Sequence, residues 1–255
     1  MLPGVYQKLD RCFAYAEREV APIKFAVSSK LAARIFWLLV LAATCLTLAS
    51  FVGQFYTYLP EDWGLRGFLL LLDPNDNGLQ ILAVNEEVTI PAWFSSSLLV
   101  LCSLLTLVAP VTDEEHAVRY SGRWKVLALL FLLMSLDEAV SLHERTVEPL
   151  RWALSAGGPF YYAWVIPGAI FVLGFALAYL GFLLNLPPKL RRLFAIAGTL
   201  YVGGALIMEM VGGSYADSYG DASIAYLMIV SVEEYLEMLG GVTLLYALML
   251  RAGSR

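Results

Sequence analysis

Charge is scarce in this sequence. Asp, Glu, Lys and Arg together make up 15% of its 255 residues, against about 25% in a soluble domain. A chain this apolar is neither a disordered segment nor an ordinary soluble enzyme. It has no basic patch interleaved with aromatics, and its formal net charge is −5. Both features exclude a nucleic-acid partner. Three cysteines are too few for a disulfide framework. Cys45 and Cys102 fall inside apolar runs, and with Cys12 they read as small buried hydrophobes. Internal repeats, low-complexity tracts and any sign of a second domain are also missing.

Apolar residues are abundant, at 59% of the chain. They gather into six segments, near 35–55, 90–109, 124–144, 161–186, 193–211 and 223–250. Each can cross a hydrocarbon core about 30 Å thick, which takes about 20 helical residues. The expected fold class is therefore all-α: a polytopic membrane bundle of six transmembrane helices. Pro91 suits the first turn of the second helix, where the N–H it lacks has no partner to lose. Pro187 and Pro188 end the fourth. The first apolar run lies behind a charged segment too long for a signal-peptide n-region, so it is expected to remain as an anchor.

The basic residues set the expected orientation. Lys8, Arg11, Arg18, Lys24, Lys30 and Arg34 precede the first span. Arg119, Arg123 and Lys125 lie between the second and third, Lys189, Arg191 and Arg192 between the fourth and fifth, and Arg251 and Arg255 at the end. Only Arg66, Arg145 and Arg151 remain for the other side. By the positive-inside rule both termini are cytoplasmic. Residues 1–34 mix apolar and charged positions and are expected to lie as a helix on the inner surface, ahead of a transmembrane domain at 35–255.

The longest connection, 56–89, then lies outside. Its two short apolar runs flank a Pro/Asn/Gly cluster, which suggests a β-hairpin or a compact re-entrant loop over a site below. Asp73, Asn75, Asn77 and Gly78 have the spacing of a calcium loop, but Val84 stands where the bidentate Glu belongs. A plain turn is the better reading.

The strongest functional signal is acidic. Asp137, Glu138 and Glu144 close the third helix, Glu209 lies near the outer end of the fifth, and Glu233, Glu234 and Glu237 lie on the sixth. With the orientation above, all seven fall in the outer half of the bilayer or at its outer surface, together with His143. On an ideal helix with Asp137 at 0°, Ser141 falls at about 40°, Glu144 at about −20° and Glu138 at about 100°. His143 falls at about −120°, so it joins them only if a π-bulge or a frayed end re-aims it. Glu233, Glu237 and Gly240 share a stripe with Tyr226 and Val230, with Glu234 beside it. Gly240 and Gly241 let another helix come close.

An acidic residue at a helix centre costs about 2.5–3.5 kcal/mol on insertion scales. Seven must be managed by protons, by water or by bound cations, with Arg145 and Arg151 offsetting part of the charge from the rim. Three readings follow. One is a divalent-metal site, since carboxylates with one imidazole suit iron, manganese, calcium, magnesium or zinc. Its ligands would be Glu138, Glu144, Glu209, Glu233, Glu234 and Glu237, with Asp137 and His143 as catalytic acid and base. The Glu-x-x-His spacing of di-iron bundles is absent. The second reading is proton or cation handling. The third is a set of solvated helix ends. A Ser214–His143 nucleophile pair would need hydrogen-bond reach and has no nucleophile elbow to support it. His116 reads as a solvated loop residue. Tyr56, Tyr58, Trp63, Trp93, Tyr161 and Tyr162 read as an interfacial belt.

The run Ser135-Leu136-Asp137-Glu138-x-x-Ser141-x-His143-Glu144, with Ile90-Pro91-x-Trp93-Phe94-Ser95-Ser96, resembles a group of uncharacterised bacterial multipass membrane proteins. The resemblance covers two segments, carries over no residue role, and implies a bacterial inner (plasma) membrane. It also draws attention to Glu86 and Glu87, ahead of the second helix. The expected function is a metal-dependent activity on a lipid or other apolar substrate. The alternatives are a proton- or cation-coupled transporter, or an accessory subunit of a larger membrane complex. The expected partners are membrane lipids and, for a subunit, other membrane proteins.

Overall fold

A computed structural model describes residues 27–55, 64, 80–86, 88–108 and 114–253. Among the described residues the regular structure is helical, with no strand. The helices are α1 (Ser29–Phe55), α2 (Ile90–Val108), α3 (Glu114–Val140), α4 (Val147–Leu154), α5 (Val165–Leu184), α6 (Pro188–Val202), α7 (Glu209–Tyr219) and α8 (Ile224–Gly253). A π-helical segment, Gly203–Met208, joins α6 to α7 without a break. Among the described residues five helices are long and apolar enough to cross a membrane: α1, α2, α5, the continuous α6–α7 rod and α8. A sixth is counted if α3, from Ser121, and the following Glu144–Leu154 segment form one span, bent by 72°.

Local chemistry explains several boundaries. Pro91 does sit in the first turn of α2, where the Thr89 hydroxyl accepts a hydrogen bond from the Ala92 N–H at 3.3 Å. Pro188 opens α6 in the same manner. The third span was expected to run helically to 144, but α3 stops at Val140. Ser141 takes a left-handed φ of 42°, and its N–H bonds back to the Asp137 carbonyl at 2.6 Å. The fifth segment is longer than expected, because the π turn carries the helix through its glycines out to Tyr219.

Helix α8 is the centre of the bundle and packs on α1, α2, α6 and the π segment, while α2 packs on α3. The core joins Leu98 and Cys102 of α2, Trp124 and Phe131 of α3, Phe182 of α5 and Val242, Leu245 and Leu248 of α8. Gly240 makes this possible: a Cβ there would lie 2.8 Å from the Tyr201 backbone nitrogen and 3.0 Å from the Ala197 carbonyl oxygen. The expectation that Gly240 admits a neighbouring helix is met, and the neighbour is α6.

The expected hairpin is not formed in its second limb. Gln80–Leu82 is a 3-10 turn, pinned to α1 by the Val84 N–H donating to Ser50 Oγ at 2.9 Å and by Gln54 donating to Asn85 at 2.9 Å. Val84 is buried, so the twelfth position of the supposed calcium loop is part of the packing. Of the surface helix expected over residues 1–34, residues 29–34 belong instead to the long helix α1, and residues 1–26, the first limb of the outer loop with Asp73, Asn75, Asn77 and Gly78, Glu87 and the His116 side chain lie outside the described residues.

Candidate functional site

The site begins at the broken end of α3. Because the helix stops at Val140, the chain turns back and presents His143 to Asp137. The His143 N–H donates to Asp137 Oδ1 at 3.0 Å, and its ring Nδ1 lies 2.7 Å from Oδ2. The end of the helix thus re-aims the imidazole that an ideal helix would have pointed away. An ionised carboxylate only accepts hydrogen bonds. Asp137 therefore fixes Nδ1 as the protonated nitrogen and leaves Nε2 as the basic one.

Trp164, at the entrance to α5, extends the constellation. Its ring sits 4.5 Å from the His143 ring, and its Nε1 donates to Glu209 Oε1 at 2.8 Å. Glu209 is the first residue of α7, where the π segment ends. Its carboxyl group meets that of Glu233 on α8, which is only 8% exposed. Gly204, inside the π segment, allows this meeting: a Cβ there would lie 2.7 Å from the Glu233 carbonyl oxygen and from Glu237 Cγ. π turns inside helices are frequent at functional sites. Glu237 pairs with the Tyr201 hydroxyl of α6, and Glu138 with the Ser95 hydroxyl of α2.

These groups line one end of a chamber of about 1220 Å³. Asp137, Glu138, His143, Glu209, Glu233, Glu234 and Glu237 all line it, as do Glu86, Glu144 and Glu148. Tyr162 and Tyr226 join hydroxyls at 2.5 Å beside the acidic end, so Tyr162 belongs to the chamber wall as well as to the expected aromatic belt. Among the described residues lining the chamber there is no lysine or arginine. Arg151 pairs with Glu148 and lies over the Tyr161 ring at 4.1 Å, and exposed Arg145 is not part of the wall. The expected offset from the rim therefore does not reach the buried carboxylates. The rest of the chamber is apolar and runs between α3, α5 and α6.

The acids singled out in the sequence line one chamber, but the sequence does not point to their partners. Ser95 was quoted only as part of a motif, and Trp164, Tyr201 and Gly204 were not singled out. Only the Gly203-Gly204 pair in mid-span gave a signal for the π turn. Among the described residues no three His, Cys, Asp or Glu side chains are grouped closely enough, as they stand, to hold a metal ion. Several of these acids have partners of their own. Ser95 holds Glu138, Trp164 holds Glu209 and Tyr201 holds Glu237, each against a different helix. The Ser214–His143 pair is likewise absent, since the Ser214 hydroxyl donates to the Met210 carbonyl at 2.9 Å.

Residues 39–252 match a family described as a domain of unknown function (DUF8692). The chain belongs to this family. The DUF8692 region contains every residue of the chamber, from Val84 to Leu244. No curated protein and no solved structure matches the chain.

Proposed function

We propose that this DUF8692 protein is a polytopic protein of a bacterial inner (plasma) membrane with both termini in the cytoplasm. Its chamber would lie toward the outer leaflet, and its activity would be acid–base chemistry on a lipid or other amphiphile entering from the bilayer. The orientation rests on the bias of Lys and Arg to one side of the spans. The activity rests on one observation above all: a single chamber joins an imidazole oriented by a carboxylate to a long apolar trough. The Asp137–His143 pair supplies the acid and base, and the glutamates stabilise positive charge or carry protons nearby.

A second reading, proton or cation transport, is favoured by the Glu209–Glu233 carboxyl contact and by a wall without lysine or arginine. A divalent-ion form of either reading would need Glu138, Glu209 and Glu237 to leave their present partners and converge. Elemental analysis beside a variant with all three changed to Gln tests that form directly. A metal lost in the variant supports it, and a metal-free wild type counts against it.

The test of the main reading is a lipid-product assay. Purified protein in liposomes of bacterial lipid extract is incubated, and the lipids are compared by mass spectrometry with those from His143→Ala and Asp137→Asn. The wild type should convert one lipid class, and each variant should slow conversion by about 10²–10⁴-fold. An unchanged lipid profile with wild type, together with proton or cation flux through the liposomes, would overturn the enzyme reading in favour of transport.

A further inference from the structure

Helix α5 is fastened to the bundle chiefly at its two ends. At the outer end Trp164 contacts His143 and bonds Glu209. At the inner end the Tyr179 hydroxyl donates to the Arg123 carbonyl at 3.1 Å, and Phe182 packs edge-on against Trp124 at 4.9 Å. Between these fastenings α5 stands away from α3, and the trough fills the gap. Leu130, Phe131 and Met134 of α3, Phe175 and Ala176 of α5 and Gly198 of α6 line it. From Gly168 to Leu183 the wall is about 22 Å long.

Two features say what fits there. The first is access. Phe171, Leu180 and Ile207 line the chamber yet are 56%, 47% and 59% exposed, so the trough opens sideways between helices, where the acyl chains of a bilayer lie. The second is charge. The outer end presents several carboxyl groups and, among the described residues, no lysine or arginine. A phosphate, sulfate or carboxylate head would be placed against like charge. An ammonium head meets opposite charge there, and the aromatic side chains of Trp164, Tyr162 and Tyr226 line the same chamber.

We propose that the chamber binds an amphiphile with a cationic amine or quaternary ammonium head, its head at the carboxylates and its chain along α5, an assignment that rests on the amphiphile reading of this site. The ligand itself then supplies the positive charge that the wall lacks.

The full chain in neutral phosphatidylcholine nanodiscs would be titrated with dodecyltrimethylammonium, dodecyl sulfate and dodecanol, each below its micellar concentration. Tryptophan emission and the thermal midpoint are the readouts. The cationic probe should saturate at a concentration about tenfold below the sulfate. Gly198→Phe, which fills the open space beside that residue, should abolish saturable binding of all three probes. Glu234→Gln with Glu237→Gln should erase the tenfold preference while leaving the dodecanol midpoint unchanged, and that midpoint also reports that the variant is folded. Equal binding of the three probes, or a preference that survives in the double variant, overturns the cationic head and leaves the amphiphile reading standing. No saturable binding of any probe, or binding indifferent to Gly198→Phe, overturns both.

Discussion

Helices α5 and α8 invert the relation between apolarity and burial that holds in soluble proteins. Every residue of α5 from Val165 to Leu184 is apolar or small apart from Tyr179, yet only 11% of its spanning window is buried. Helix α8 carries Ser231, Glu233, Glu234, Glu237 and Thr243, and 67% of its window is buried. In a bilayer, lipid is as apolar as leucine, so hydrophobicity does not draw helices together. Small residues that allow close contact, and polar residues that need partners, decide which helix goes inside. α8 has both kinds on its buried faces. α5 has small residues too, but nothing lies within 4 Å of a Cβ built at Gly174 or Gly181, and it is held by polar and aromatic contacts near its ends.

The most direct way to break this contrast is to enlarge a glycine on each side of it. Gly240 of α8 has no room for a Cβ, whereas Gly174 of α5 has nothing within 4 Å of the corresponding position. Gly240→Leu should destabilise the bundle by about 3 kcal/mol or prevent folding. Gly174→Leu should change stability by less than about 0.5 kcal/mol. Size-exclusion profiles in detergent and unfolding in SDS titrations measure both. Similar losses in the two variants would mean that α5 is packed against something as closely as α8 is.

A smaller effect is expected from truncating leucines. Leu248 of α8 is fully buried, and Leu177 of α5 is 66% exposed. Leu248→Ala leaves a cavity and forfeits packing contacts, and should cost about 2 kcal/mol. Leu177→Ala should cost almost nothing, because lipid fills the space. The same SDS titration compares them, and a large loss at Leu177 would place α5 inside an oligomer or a larger complex.

The same physics sets what could be read from the sequence. The spans were legible because crossing lipid demands long apolar runs, and because the runs near 35, 90, 161 and 223 satisfy that demand without help from other segments. The gathering of Asp137, Glu209 and Glu237 around one chamber was legible because each lies in or beside a long apolar run where a charge needs a reason to be. The aim of His143 was not. It depends on where α3 ends, and that end lies at Ser141, a serine in a left-handed conformation that no glycine announces. The partners of the carboxylates were also hidden. Trp164 meets Glu209, and Ser95 meets Glu138, across contacts between separate helices that periodicity along one segment does not encode. Residue type pointed to the acids that line one chamber, but not to the side chains on neighbouring helices that bond them.

The smallest effect concerns the polar contacts that join helices away from the chamber. Ser96 of α2 and Ser135 of α3 exchange bonds across their interface: each hydroxyl donates to the other's backbone carbonyl, at 3.0 and 2.8 Å, and the two oxygens are 2.9 Å apart. If polar contacts alone selected the interior helices, this pair would be worth several kcal/mol in lipid. The unfolded chain in a membrane also finds partners for its hydroxyls, since a serine in a helix can bond its own preceding turn, so measured interhelical bonds average about 0.6 kcal/mol. A double-mutant cycle of Ser96→Ala and Ser135→Ala should therefore give a coupling of about 0.6 kcal/mol, read from SDS unfolding of the four proteins. A coupling of about 2 kcal/mol or more would shift the weight from small residues to hydrogen bonds. The burial of α8 would then be credited to its serines and glutamates more than to Gly240. A value near the expected one keeps close packing as the cause and polar contacts as the device that fixes which faces meet.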